Sequence, residues 1–155
     1  MRQLNLPEFN FSFKDENGKK FIFDEIRRKF ITLTPEEWVR QNFVKYLINN
    51  KNYPASLIAL EVPIVINETD QRSDIVAFNK NGRIVVLVEC KSPEISLTQK
   101  VFDQAASYNL KLNAKILIIT NGIAHYCCKP DYSGRKWIFL DDIPDYKELE
   151  SIAMD

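Results

Sequence analysis

The chain has 155 residues, 45% of them hydrophobic and 27% charged, which is the balance of a folded globular protein rather than of a disordered segment. Basic and acidic residues number 21 each, so the formal net charge is zero, and any contact with nucleic acid would have to come from local patches. No apolar run approaches the roughly 20 residues of a membrane helix and no signal segment is recognisable, so we expect a cytoplasmic protein without membrane contact.

Cysteine and histidine usage excludes further classes. Cys90, Cys127 and Cys128 lack Cys-x-x-Cys spacing, so neither a disulfide framework nor a zinc ribbon is expected, and a reducing compartment fits. His125 is the only histidine, which excludes zinc-hydrolase motifs and disfavours a Ser/His triad. We interpret His125 as a structural strand residue.

The first predicted element is an aromatic hairpin in residues 1–30. Aromatic residues alternate on both sides of a turn cluster at residues 15–18, at positions Phe9, Phe11, Phe13, Phe21 and Phe23. We expect this stripe to pack against the rest of the chain, although such a stripe can also stack on bases. The basic run at residues 27–29 is typical of a solvated surface, with a phosphate contact as the alternative.

A helix is predicted next, from Thr34 to about Asn50. Thr34 is a good N-cap, Pro35 suits the first helical position, and Glu37 completes a Thr-x-x-Glu capping box. Residues 57–66 then read as a strand. Because Pro63 has no amide donor, that strand should lie at a sheet edge or carry a bulge.

Residues 72–91 predict a β-hairpin around Asn81-Gly82, the dipeptide of a type I′ turn. A two-residue loop at this dipeptide would pair Lys80 with Arg83, Phe78 with Val85, Val76 with Leu87, and Asp74 with Glu89. Directly opposed carboxylates repel, so an uncharged residue at position 74 should cost no stability in the absence of metal. The strand at residues 84–88 is apolar on both faces and should be covered by helices on both sides.

Lys91 lies two residues after Glu89 and so on the same strand face. Two acids and a lysine at one spot suit Mg²⁺ (or Mn²⁺), which prefers oxygen ligands, and the matching chemistry is phosphate hydrolysis. In it, Asp74 and Glu89 hold the metal and Lys91 acts on the attacking water. The alternative is an exposed edge where Lys91 merely pairs with Glu89.

The remaining elements follow in order. A second helix is predicted from an N-cap at Ser96, with Gln99 three residues later, to about Asn113. Residues 115–120 should form a strand parallel to the second hairpin strand, since a helix connects the two. A turn at Asn121-Gly122, a hairpin from residues 124–128 and 137–140, and a short helix at residues 146–152 complete the chain.

These motifs resemble a known family. Ser73-Asp74, a hairpin and Glu89-Cys90-Lys91 resemble the core of PD-(D/E)XK nucleases, with serine in place of proline. Together with Thr-Pro-Glu-Glu-Trp-Val-Arg-Gln at residues 34–41, Gln104-Ala-Ala-Ser-Tyr108 and Thr-Asn-Gly at residues 120–122, they resemble the N-terminal nuclease domain of type I restriction enzyme cleavage subunits. The resemblance covers residues 35–122.

The resemblance implies an α/β fold with a restriction-endonuclease-like core, a mixed central β-sheet flanked by helices, and an N-terminal β-hairpin. We expect one domain over residues 1–155, with the core at 34–122 and a C-terminal hairpin and helix at 123–155. It also implies a Mg-dependent deoxyribonuclease in which Glu37 completes the metal site, and in which Gln104, Tyr108 and Arg72 contact DNA or support the active site. A core tyrosine beside a solvated glutamine is the alternative for Tyr108 and Gln104.

A non-catalytic module that binds nucleic acid or protein on the same scaffold is the competing hypothesis, because fold alone does not decide function. The chain contains no Gly-x-x-x-x-Gly-Lys phosphate loop, so we do not expect it to translocate DNA by itself. The resemblance leaves open a separate motor or specificity subunit and a homodimer as partners.

Overall fold

The computed structural model describes residues 1–66, 69–131 and 136–152. A six-stranded mixed sheet of order β4-β5-β6-β7-β8-β9 carries one helix on each face, and a separate antiparallel sheet of order β1-β2-β3 precedes it. The elements are β1 (Phe13–Glu16), β2 (Lys19–Asp24), β3 (Lys29–Thr32), α1 (Pro35–Lys51), β4 (Ile58–Ile66), β5 (Thr69–Phe78), β6 (Ile84–Cys90), α2 (Gln99–Leu112), β7 (Ile116–Thr120), β8 (His125–Asp131) and β9 (Lys136–Leu140), with 3₁₀ turns at Ala55–Leu57 and Tyr146–Ser151.

The two faces of the large sheet bury different helices because strand side chains alternate. Ile75 and Ile118 belong to the apolar cluster under α1, whereas Val76, Leu87 and Leu117 belong to the cluster under α2. The predicted mixed α/β fold with helices on both faces is therefore confirmed. The predicted parallel pairing of β6 with β7 and the edge position of β4, which contains Pro63, are confirmed as well.

Helix α1 begins as its sequence predicts. Thr34 Oγ1 accepts a hydrogen bond from the Glu37 amide at 3.0 Å, Pro35 is the first helical residue, and Asn52 ends the helix in the left-handed region at φ 61°. Only half of the predicted capping box forms, because the Glu37 carboxylate hydrogen-bonds Arg40 instead of returning to the Thr34 amide.

Helix α2 begins two residues later than predicted. Thr98, not Ser96, is the N-cap, and its hydroxyl accepts from the Val101 amide at 3.4 Å. The Thr98 amide donates to the Ser96 carbonyl, which places Ser96 in the turn before the helix. The predicted end at Asn113 is correct, since Asn113 adopts φ 62° as the C-cap.

Two of the Asn-Gly dipeptides, at residues 17–18 and 81–82, form different turns. Asn17 and Gly18 both have positive φ, 53° and 78°, between the paired residues Glu16 and Lys19, which is the type I′ pattern. At the second dipeptide only Gly82 has positive φ, because Asn79 Oδ1 accepts from the amides of Asn81 and Arg83 at 2.9 Å each and holds a turn that begins at Asn79.

The changed turn also changes part of the predicted register. Phe78 pairs with Ile84 rather than with Val85, and a bulge lies between Ala77 and Phe78. The bulge absorbs the shift, so Val76 pairs with Leu87 as predicted. The register at the open end of the hairpin is therefore the expected one.

The N-terminal segment is a three-stranded sheet rather than a hairpin, because β3 adds to β2. Ile22 is fully buried, but Phe13 and Phe30 are 43% and 37% exposed, so the expected burial of the aromatic stripe is wrong for Phe13.

His125 is structural as predicted: its Nε2 lies 3.0 Å from the Asn5 carbonyl and its Nδ1 2.6 Å from Thr120 Oγ1. Among the described residues, no helix is long and apolar enough to cross a membrane.

Candidate active site

Asp74 and Glu89 lie at the same end of neighbouring strands. The register Ile75 with Val88 brings Asp74, one residue earlier on β5, opposite Glu89 on β6. The Cys90 amide then donates to Asp74 Oδ2 at 2.7 Å, so the aspartate side chain ties the two strands together at this point. Asp74 and Glu89 therefore lie close enough for the charge of Asp74 to act on Glu89, although the paired residues of the two strands end at Ile75 and Val88.

Arg40 of α1 binds the other oxygen of Asp74. Its Nη2 donates to Asp74 Oδ1 at 2.8 Å, and both side chains are almost entirely buried. Burial lowers the pKa of Arg40, but the charges of Glu37 and Asp74 outweigh that effect and leave it raised. Arg40 was not among the predicted site residues, although it lies in the segment at residues 34–41 that contributes to the family resemblance.

Glu89 has much weaker compensation. Lys91 Nζ lies 3.5 Å from Glu89 Oε1, and both side chains are about one-third exposed, at 32% and 31%. Burial, followed by the charge of Asp74, raises the pKa of Glu89 to about 7, although Lys91 acts in the opposite direction. One carboxylate of the pair is thus bound directly by an arginine, whereas the pKa of the other is raised to about 7.

A network of buried ion pairs extends from Arg40 to the N-terminal sheet. Arg27, in the turn after β2, donates to Asp24 Oδ2 at 2.6 Å, to Glu61 Oε2 at 2.9 Å and to Glu37 Oε2 at 3.2 Å. Its side chain is only 16% exposed, so the interpretation of the basic run as a solvated surface is wrong for Arg27. Arg40 Nη1 also reaches Glu61 Oε1 at 3.2 Å.

Glu61 takes an unusual backbone conformation to enter this network. Its φ of 49° lies in the left-handed region, which non-glycine residues adopt rarely and at a cost. Leu60 pairs with Ile75, and Val62 pairs with Ser73. Glu61 on β4 therefore lies opposite Asp74 on β5. The distorted strand therefore brings a fourth carboxylate to the two arginines.

The structure places Glu37 in the arginine network and not beside Glu89. Its Oε1 accepts from Arg40 at 2.6 Å, and its Oε2 accepts from Gln41 at 2.8 Å and from Arg27. The helix carboxylate that interacts with the Asp74 and Glu89 pair is the preceding one, Glu36, whose side chain is 48% exposed. Burial and the charge of Asp74 raise the pKa of Glu36, and Glu36 in turn contributes to the raised pKa of Glu89.

The other expected site residues are less involved. Arg72 is 70% exposed, with its Nη1 3.9 Å from Glu61 Oε2. Gln104 is exposed on α2. Tyr108 belongs to the same helix, and its side chain lies outside the described part of the structure.

The carboxylates of the site outnumber its basic side chains, so the site carries excess negative charge. Six carboxylates, those of Asp24, Glu36, Glu37, Glu61, Asp74 and Glu89, face the four basic side chains of Arg27, Arg40, Arg72 and Lys91. Within the described residues, no group of three or more histidine, cysteine, aspartate or glutamate side chains is arranged around one metal position. The donors that fit a hard divalent ion are the oxygens of Asp74 and Glu89, with Glu36 nearby, because Mg²⁺ prefers carboxylate oxygens. Burial, and after it the charges of Asp74 and Glu36, raise the pKa of Glu89.

A mixed sheet between two helices, preceded by an antiparallel extension, defines this chain as an α/β protein with a restriction-endonuclease-like fold. Residues 35–144 match the family model described as type I restriction enzyme R protein N terminus. The chain therefore belongs to the family of type I restriction enzyme R protein N-terminal domains, as its motifs predict.

A solved structure agrees at the level of the fold. The chain is similar to a fragment structure of "a putative HsdR subunit of a type I restriction enzyme" from Vibrio vulnificus YJ016, with 19% identity, a TM-score of 0.55, and coverage of 77% of this chain and 25% of that one. A protein from Anabaena variabilis ATCC 29413, described as "a putative nuclease belonging to DUF820", has 16% identity, a TM-score of 0.49 and coverage of 89% and 88%. No curated protein matches the chain. The chain spans about a quarter of the length of the Vibrio vulnificus protein.

Proposed function

We propose that this chain is a metal-dependent nuclease domain that hydrolyses phosphodiester bonds of DNA. The observation that carries the proposal is the meeting of Asp74, Glu89 and Lys91 at one sheet end, where Glu89 lacks full charge compensation. Membership of the restriction enzyme R protein family supports DNA as the substrate. An aspartate, a glutamate and a lysine alone would fit several reactions at phosphate groups. Membership of the family is the reason for proposing DNA as the substrate.

Asp74 and Glu89 would hold Mg²⁺ or Mn²⁺. Glu36 takes the place expected for Glu37, because Glu36 is the helix carboxylate that interacts electrostatically with Asp74 and Glu89. The ion, when bound, supplies charge for the phosphoryl oxygens and lowers the pKa of a water molecule. Lys91 orients the attacking water and neutralises developing negative charge. Arg40 fixes the position of Asp74, because its guanidinium binds Asp74 Oδ1 directly.

The nuclease role in a larger assembly is part of the same proposal. A separate motor or specificity subunit is the proposed partner, because the family is that of type I restriction enzyme R protein N termini. A homodimer would allow both strands of a duplex to be cut. Gln104 and Tyr108 of α2, and Arg72 on β5, stay as proposed contacts to the DNA backbone.

The proposal is tested by incubating the purified chain with supercoiled plasmid in Mg²⁺, in Mn²⁺ and in chelator. We expect nicking that needs metal and that is lost in Lys91→Ala and in Glu89→Gln. The matched control is Lys80→Ala, a lysine at the exposed far end of the same hairpin. Plasmid binding by Lys91→Ala should stay within a few fold of the unmodified protein, since one lysine supplies a small part of the contact surface.

Nicking that persists in chelator, or that Lys91→Ala leaves unchanged, would remove these residues from the mechanism. Metal-independent binding of DNA without any nicking would favour the non-catalytic module. The buried Asp74 and Arg40 pair would then serve only to hold the strands and α1 together.

A further inference from the structure

A cluster of aromatic side chains stands beside the candidate active site on the α2 face of the sheet. The Phe102 and Phe139 ring centroids are 5.3 Å apart, and those of Tyr126 and Phe139 are 6.4 Å apart. Tyr126 is 46% exposed and Phe139 55% exposed, although both rings pack against aromatic neighbours. Large apolar surface left open in this way marks a contact site.

The cluster lines a cleft large enough for an aromatic ligand. Its volume is about 220 Å³, and its walls are Phe102, Ile119, Tyr126 and Phe139 together with Thr98 and Gln99 at the start of α2. A cavity of roughly 150 Å³ is sufficient to bind benzene inside a protein. A single nucleobase therefore fits the cleft in size, and the aromatic walls match its flat faces.

The sheet register fixes the position of the cleft relative to Glu89. Glu89 pairs with Ile119 on β7, and Ile119 pairs with Tyr126 on β8. Residues paired in this way present their side chains on the same face, so Glu89 and Tyr126 lie on one face two strands apart, which is roughly 10 Å at the usual strand spacing. Phosphates along one DNA strand are about 3.4 Å apart in axial rise. The cleft is therefore within three nucleotides of a phosphate bound at Glu89.

The charges around the cleft suit a nucleotide strand. Helix α2 presents its N-terminal end there, where the helix dipole favours a phosphate group, and Lys100 in its first turn is exposed. Lys91 lies on the opposite side, next to Glu89. Of the nearby acids, Asp103 already accepts a hydrogen bond from Gln99 at 2.8 Å, whereas Glu94 is exposed.

We propose that this cleft takes an unpaired nucleobase of the strand whose phosphate lies at Glu89 and Lys91, stacked on the exposed ring of Tyr126 or Phe139. The inference rests on the proposed nuclease function and refines its substrate. In an intact duplex the base faces are covered by their neighbours, so the preferred substrate is single-stranded DNA or a site with a displaced base.

The test is a binding measurement that does not depend on cleavage. A short single-stranded oligonucleotide with one 2-aminopurine is titrated in chelator with the whole chain, and quenching of the base fluorescence reports stacking. The same sequence as a duplex should bind at least about tenfold more weakly. Tyr126→Ala and Phe139→Ala should weaken single-strand binding by roughly five- to hundredfold and abolish the quenching, whereas Tyr126→Phe should retain both.

Phe13→Ala is the control, because Phe13 is a comparably exposed aromatic on the other sheet. Melting midpoints of all variants establish that they are folded, which is expected since Tyr126 and Phe139 are half-exposed. Plasmid nicking is measured in parallel. Duplex nicking that Tyr126→Ala and Phe139→Ala leave unchanged, with no preference for single strands, would overturn the inference and leave the nuclease intact.

Single-strand binding and quenching without metal-dependent nicking would have the opposite meaning: the base site would stand and the nuclease proposal would fall. Absence of binding to any oligonucleotide overturns the base site. A change from dimer to monomer in Tyr126→Ala and Phe139→Ala, with binding unaffected, would assign the cleft to a second copy of the chain and also overturn it.

Discussion

The two carboxylates of the candidate site have opposite environments although they face each other on adjacent strands. Asp74 is bound by the Arg40 guanidinium and the Cys90 amide, within a network that also includes Arg27 and Glu37. Glu89 has one lysine at 3.5 Å, and its pKa is raised to about 7. The comparison separates two physical roles: the arginine-bound side fixes the geometry, and the side with excess negative charge is suited to bind a cation.

The largest loss of stability is expected from Arg40→Ala, which removes the guanidinium that binds Asp74. Removing Arg40 leaves buried Asp74 without its guanidinium, while Glu37 keeps Arg27 and Gln41, and the loss of one partner of a buried ion pair typically reduces the free energy of unfolding by about 3–5 kcal/mol. Arg72→Ala is the matched control, since its side chain is 70% exposed and should change stability by less than about 0.5 kcal/mol. Denaturant unfolding of both variants measures the contrast. Similar small losses in the two proteins would mean that the network contributes little.

Asp74→Asn should destabilise the protein by about 1–3 kcal/mol in chelator, because Arg40 loses its charged partner. The sequence analysis expected no loss, on the argument that the substitution relieves repulsion from Glu89. The structure reverses that expectation, since Asp74 has two direct partners. Thermal midpoints in chelator decide between the two. An asparagine variant at least as stable as the unmodified protein would show that repulsion outweighs both hydrogen bonds.

Glu89→Gln tests the side with excess negative charge through pH. The folded-state pKa of Glu89 is about 7, above its ordinary value, so the folded state holds a proton more tightly than the unfolded chain does. The stability contribution of Glu89 is therefore fully present below its unfolded pKa and is lost as pH rises through 7. Glu89→Gln should melt higher than the unmodified protein at pH 8 in chelator, by more than at pH 5.

Bound metal should reverse the order of the melting midpoints of the unmodified protein and Glu89→Gln at pH 8. If Glu89 is a ligand, Mg²⁺ stabilises the unmodified protein by mass action at pH 8 and leaves Glu89→Gln little changed. A Mg²⁺ titration of the two melting midpoints measures the effect. Equal gains in both proteins would show that the ion binds elsewhere, and a midpoint difference that does not depend on pH would show that Glu89 does not titrate near 7.

The smallest effect on stability is expected from Lys91→Ala. Its pair with Glu89 is long and partly exposed, and such pairs contribute roughly 0–1 kcal/mol. The same variant should lose nicking, so activity and stability would separate at this position. A stability loss as large as that of Arg40→Ala would place Lys91 in the structural network and weaken its assignment to the attacking water.

Local patterns were sufficient to predict the framework of the site. The register expected from the Asn81-Gly82 turn predicted that Asp74 and Glu89 lie at the same end of the hairpin, and a bulge restores that register although the turn itself differs. The cap at Thr34 predicted where α1 begins. Each depends on residues close in sequence or on one strand pairing. The same reasoning missed the β3 strand and placed the N-cap of α2 at Ser96, because short polar segments offer several turns and caps of similar energy.

The sequence by itself determined the fold class, the family and the position of two acids and a lysine at one sheet end. Only the tertiary structure decided which acids are neutralised, because Arg27, Arg40 and Glu61 reach the site from separate elements up to 34 residues away. It also placed Glu37 in the arginine network and brought the charge of Glu36, about 100° away around α1, to bear on Glu89. The free energy of a buried charge depends on all the groups that surround it, and no local pattern in the chain records that environment.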